Sequence, residues 1–190
     1  YALRFSYWIT LLISPLTAAF MVRLFIIQHD CGHRSFFRSR ATNDRFGVWL
    51  GILTMTPYHC WRKEHASHHA TSGDLSRRHR GGEIHTLTVR EYQSLSRWQR
   101  WKYRLYRNPL ILFVIGPAIH FAIRQRLTFD LPKTWKKERA SVHLTNLGLL
   151  LTIAAVIWLV GWRAFLMVEL PVLVLASSMG VWLFYVQHQY

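Results

Sequence analysis

Three long apolar runs constrain this chain more than any other feature. They occupy about residues 5–28, 144–160 and 164–186, and only Arg23 and Glu169 interrupt them with a charge. A helix needs about 20 predominantly apolar residues to cross hydrocarbon about 30 Å thick. We therefore predict that these runs are membrane-spanning helices and that the last two form a hairpin, because only residues 161–163 separate them.

Two shorter apolar stretches, residues 46–58 and 109–123, are of a length typical of re-entrant or interfacial segments. Basic residues flank both stretches on both sides, whereas only Arg163 lies between the last two runs. Cytoplasmic segments of membrane proteins carry an excess of Lys and Arg. This pattern predicts that both short stretches dip into the membrane from the cytoplasmic side, and that Arg163 lies on the opposite side.

The formal net charge of +15 has two competing explanations, nucleic-acid binding and membrane topology. A nucleic-acid-binding domain carries its basic residues as a patch or stripe on one face. Here they form blocks between apolar runs, which favours an integral membrane protein and predicts no nucleic-acid partner. We expect an all-α integral membrane protein with residues 1–190 in a single domain, truncated at both ends.

Histidines collect at the predicted cytoplasmic ends of these segments. The motif HDCGH supplies His29 and His33, four residues apart and therefore on one helical face. The motif HASHH supplies three histidines with the spacing i, i+3, i+4, and QHQ supplies one at the end of the last run. The six candidate metal ligands are His29, His33, His65, His68, His69 and His188.

Imidazole side chains bind Zn, Cu, Fe and Ni, so the ligand type alone does not select the metal. A structural zinc site takes four ligands, whereas six histidines indicate two metal ions. Two histidine-bound irons beside a membrane suit the activation of dioxygen against an unactivated C–H bond. Asp30 and His59 are candidates for hydrogen bonds that orient the ligands, with a helix-end surface carboxylate and polar packing as their alternative roles.

The sequence resembles the membrane fatty acid desaturases at these same motifs. HDCGHRSFFRSR and TPYHCWRKEHASHHATSGDL resemble segments of bacterial acyl-lipid desaturases of the delta-12 type, with HDCGH and HASHH as the first two histidine boxes. LTVREYQSLSRWQRWKYRLYRNPL and WLFYVQHQY resemble later segments of the same enzymes. The third box of that family, of the HxxHH type, follows the last span and is not among these residues. We expect the 190 residues alone to be inactive.

The resemblance implies that the six histidines bind two non-haem iron ions, with dioxygen as co-substrate. It also implies a fatty acyl lipid substrate and electrons from a ferredoxin or a small haem protein. The enzyme would insert a double bond into membrane lipid acyl chains. It would lie in a bacterial inner membrane with its active site facing the cytoplasm.

Two other functions compete with desaturation. A related histidine-box hydroxylase or carotenoid oxygenase would share the metal centre but form a different product. A metal-binding or metal-transport protein would place polar ligands at mid-membrane depth, whereas these histidines lie at span ends.

Two further regions stay outside the predicted site. The basic segment 71–107, rich in Trp and Tyr, is expected to contact either anionic headgroups or an acidic electron donor, and Glu169 is expected near the outer interface.

Overall fold

The computed structural model describes residues 2–71, 74 and 84–188, without the side chains of Ala2 and His188. Its described residues are mostly helical and contain no strand, which confirms the predicted all-α class. A π-helical segment precedes α7 and a short 3-10 helix follows it. The α-helices are α1 (Ala2–Phe5), α2 (Tyr7–Gly32), α3 (Arg40–Leu53), α4 (Tyr58–Thr71), α5 (Val89–Ser94), α6 (Arg97–Tyr106), α7 (Gly116–Ala122), α8 (Lys136–Val160) and α9 (Trp162–His188).

Three of these helices, α2, α8 and α9, are long and apolar enough to cross a membrane. Their outward faces carry large apolar side chains, such as Leu12 with 79% of its surface exposed and Trp158 with 84%. Such faces are stable in hydrocarbon, where the helical backbone satisfies its own hydrogen bonds. Together with the apolar runs, these helices indicate a membrane protein.

The helix α8 begins at Lys136, eight residues before the predicted span. Its first two turns are polar, and Glu138 forms an ion pair with Lys63 of α4 at 3.1 Å. Hydropathy locates only the part of a helix that suits hydrocarbon, so it missed this extension. The predicted hairpin is present with a tighter turn, because Gly161 alone separates α8 from α9 and adopts φ 83.

The short stretch 46–58 forms the end of α3 and a turn that leads into α4. Met55 in this turn has φ 56, a left-handed conformation that is uncommon outside glycine. The guanidinium of Arg126 donates to the Met55 carbonyl. On the other side, the buried Gln28 amide donates to the Thr56 carbonyl at 3.2 Å. The Gln28 bond ties the turn to the end of α2, next to His29, and the Arg126 bond ties it to the 3-10 helix after α7.

The second short stretch, 109–123, is broken in the structure. Residues Ile111–Ile115 form the π-helical segment, and α7 follows from Gly116 with Pro117 in its first turn. Residues Ile111–Arg126 are bent by 57° from α6, so the two parts together form either a broken span or a re-entrant loop. Whether this stretch dips into the membrane from the cytoplasmic side stays a prediction.

Candidate metal centre and adjoining cavity

The first two histidine motifs lie on two helices that meet where each helix carries its motif. His29 is in the last turn of α2, and His33 caps that helix, with its backbone N–H bonded to the His29 carbonyl at 3.0 Å. His65 and His69 are one turn apart on α4. Spacing of four residues places each pair on one face of its helix.

The ring nitrogens of these four histidines converge on one point. His33 Nε2 lies 3.2 Å from His29 Nε2 and 3.0 Å from His65 Nε2. His69 Nε2 lies 3.0 Å from His65 Nε2. One ligand atom from each of the four rings lies within 4.8 Å of all the others, so they form a group with the geometry of a metal site. We call this group the four-histidine cluster.

The four-histidine cluster fits a metal ion in spacing and in charge. Two nitrogen ligands at right angles, each about 2.1 Å from one ion, are about 3.0 Å apart. Burial, followed by the rings of His29 and His69, lowers the pKa of His65 to about 3. Burial, followed by the ring of His29, also lowers the pKa of His33. Neutral imidazoles keep the lone pairs that bind metal, so this donor set fits iron among the metals that take imidazole.

Asp30 contacts the cluster directly, whereas His59 is not part of it. The Asp30 carboxylate accepts a hydrogen bond from His29 Nδ1 at 3.2 Å, which leaves His29 Nε2 directed at the other rings. His59 instead lies toward α8, where its backbone N–H donates to Ser141 Oγ at 3.1 Å. Its pKa is lowered by burial and then by Lys137.

His68 and His188 differ from the four clustered histidines. The His68 side chain is buried, and its ring centroid lies 6.2 Å from that of His65 and 5.2 Å from that of Phe184 on α9. It therefore borders the cluster. Helix α9 reaches His188, whose side chain lies outside the described part of the chain. The roles of all six histidines as ligands stay predictions.

Three residues that sequence reasoning missed hold the two histidine motifs together. The Tyr58 hydroxyl contacts the Cys31 carbonyl at 2.9 Å, between His29 and His33, and Asp44 Oδ1 at 3.0 Å. Arg62 donates to the same Asp44 oxygen at 2.7 Å. Burial and Asp44 raise the pKa of Tyr58. The signal in the sequence was weak, because an Asp in a basic segment has many possible partners.

A cavity of about 230 Å³ adjoins the four-histidine cluster. Its wall includes His65 and His68 from α4, the turn at Thr54 and Met55, and one face of α9. Most of the remaining lining is aliphatic or aromatic. The cavity therefore offers an apolar space that begins beside the candidate metal ligands.

These features agree with a comparison against known families. The model of the fatty acid desaturase family matches residues 6–190. The chain belongs to the fatty acid desaturase family. This membership confirms the resemblance seen at the histidine motifs. No solved structure matches the chain.

Three bacterial proteins illustrate the similarity of this fatty acid desaturase family member to its relatives. A fatty acid desaturase of Bacillus subtilis is 44% identical over 189 residues, covering 100% of this chain and 53% of the relative. An sn-1 oleoyl-lipid 12-desaturase of Arthrospira platensis is 30% identical over 149 residues, covering 74% and 40%. An sn-1 acyl-lipid omega-3 desaturase (ferredoxin) of a Nostoc species is 29% identical over 145 residues, covering 73% and 39%. The chain thus spans about half the length of these relatives, or less.

Proposed function

We propose that the protein to which these residues belong introduces a double bond into the acyl chains of membrane lipids. The observation that carries this proposal is the position of His65. It belongs both to the four-histidine cluster and to the wall of the apolar cavity. An acyl chain in that cavity would have its methylene groups beside the metal ligands.

Under this proposal His29, His33, His65 and His69 hold non-haem iron, with His68 and His188 as further ligands of a two-iron centre. Bound iron supplies the activation of dioxygen. One hydrogen leaves each of two adjacent methylene carbons, and two electrons and two protons complete the reduction of dioxygen to two water molecules. The apolar wall excludes bulk water and orients the acyl chain, while Asp30 holds the His29 tautomer.

The two electrons require a donor protein, and we assign this role to a ferredoxin or a small haem protein. The name of the Nostoc relative, which includes ferredoxin, supports this class of partner. We place the enzyme in a bacterial inner membrane with the cluster on the cytoplasmic side, because the basic blocks lie next to the histidine motifs.

The test is acyl-chain analysis of a bacterium that lacks its own desaturases and expresses the full-length protein. Mass spectrometry of its lipids should detect new double bonds that depend on dioxygen. A His65→Ala variant should form none. New hydroxyl groups without double bonds would instead indicate the related hydroxylase. Lipids without either product would contradict the proposed function.

A further inference from the structure

Helix α9 forms one long wall of the cavity, from Glu169 to Phe184. The lining residues recur every three or four positions, which is the spacing of a single helical face. Phe184 marks the end near the histidines, since its ring centroid lies 5.2 Å from that of His68. Glu169 is fifteen residues earlier in the helix, and therefore about 22 Å away along the axis.

Gly180 lies on this wall, one turn from Phe184 and between the two ends. A Cβ atom built on Gly180 would meet no heavy atom within 4 Å. The absence of a side chain here therefore leaves space that a larger residue would fill. A chain that extends from the histidines along this face of α9 passes Gly180.

Glu169 places a carboxyl group at the other end of the same wall, inside a helix long enough to cross the membrane. Its side chain is half-buried, and the described part of the chain contains no cation within ion-pairing distance of it. A carboxyl group in such surroundings is costly and is a candidate for function. Methylene groups offer it no hydrogen bond, so contact with an acyl chain is unfavourable.

We propose that Gly180 and Glu169 determine how much of an acyl chain fits beyond the reacting carbons. Gly180 leaves the cavity open to the methyl-terminal part of the chain, and Glu169 ends the apolar path. This inference rests on the proposed function, and it names the specificity-determining residues of the same site. The ligand class is a straight acyl chain.

The test uses the full-length protein in a bacterium without desaturases, supplied with tetradecanoic and octadecanoic acids. Gly180→Leu should lower the ratio of long-chain to short-chain unsaturated product by about tenfold. This is the discrimination expected when one methylene group no longer fits an apolar pocket. Glu169→Leu should raise that ratio, because it extends the apolar path. Glu169→Gln keeps a polar group and should leave the ratio unchanged. The matched control is Leu170→Ala, on an exposed position of the same helix.

A second measurement is independent of desaturation. A phospholipid with a diazirine at the methyl end of its octadecanoyl chain should cross-link to the wall of α9 between Gly180 and Glu169 in the purified wild-type protein. The cross-link should be lost in Gly180→Leu and in Ala176→Leu, a second variant that narrows the same wall in case the first does not fold. An active wild-type enzyme whose variants keep the product ratio and the cross-link would overturn the inference. Absence of double bonds in the wild type would count against the proposed function, while the cross-links would still decide the role of α9.

Discussion

At the residue scale, Asp30 is the side chain whose predicted role the geometry supports most directly. Its contact with His29 Nδ1 at 3.2 Å fixes which ring nitrogen faces the cluster. We expect Asp30→Asn in the full-length protein to weaken ferrous iron binding by about 10- to 100-fold, because outer hydrogen bonds orient metal-binding imidazoles. Competition with a calibrated chelator measures this affinity.

The control for that experiment is Asp130→Asn. Asp130 accepts a hydrogen bond from Arg124 at 3.0 Å and lies outside the four-histidine cluster. It should leave iron affinity unchanged. Equal affinity in the Asp30 variant and the wild type would show that Asp30 is only a surface carboxylate at a helix end.

Tyr58 stabilises the arrangement of the two histidine motifs through its contacts with the Cys31 carbonyl and Asp44. Tyr58→Phe removes one buried hydroxyl and its hydrogen bond, while the Cys31 carbonyl keeps the Arg34 backbone N–H and Asp44 keeps Arg62, so the expected cost is about 0.5–1.5 kcal/mol. We expect a lower thermal unfolding midpoint for the purified full-length protein, whereas the exposed Tyr7→Phe should match the wild type. An unchanged midpoint in Tyr58→Phe would argue against this role.

At the scale of elements, the orientation of the helices is the main prediction still open. Arg40, at the start of α3, and Lys136, at the start of α8, should be cytoplasmic, whereas Arg163 at the start of α9 should lie outside. Single cysteines at these exposed positions can be labelled with a membrane-impermeant maleimide in intact cells and in inverted vesicles. Arg80, in the basic segment 71–107, should also be cytoplasmic; it lies outside the described part of the chain.

The native cysteines interfere little with this labelling. Cys31 and Cys60 are both buried. Burial, followed by Glu64 and Glu138, raises the pKa of Cys60 to about 12, and the protonated thiol reacts slowly with maleimide. Labelling of Arg40→Cys and Lys136→Cys from opposite sides would rule out the proposed re-entrant arrangement.

At the scale of the whole molecule, much of the architecture was predictable from the sequence. Long apolar runs located α2, α8 and α9, because hydrocarbon imposes a minimum length on a spanning helix. Spacing of four residues also predicted the shared faces of His29 with His33 and of His65 with His69. These are local properties, which a helical period of 3.6 residues determines without any tertiary contact.

Contacts between distant residues were not predictable in this way. The meeting of Tyr58 with Cys31 depends on the strained turn at Met55, on its bond to Arg126 and on the packing of α3. The cavity likewise needs the relative placement of α2, α4 and α9. Glu169 was expected near the outer interface, but its position on the cavity wall became visible only with that packing.

The central claim is that the four-histidine cluster binds the iron used for desaturation. The most direct test measures iron per chain, together with lipid double bonds, for the full-length protein and its variants His33→Ala and His65→Ala. The control is His143→Ala, an exposed histidine outside the cluster. We predict about two irons per chain in the wild type and the control, because six histidine ligands are more than one four-ligand site takes. Both cluster variants should insert in the membrane, lose iron and form no double bonds. Full iron content and continued double-bond formation in His65→Ala would contradict the claim.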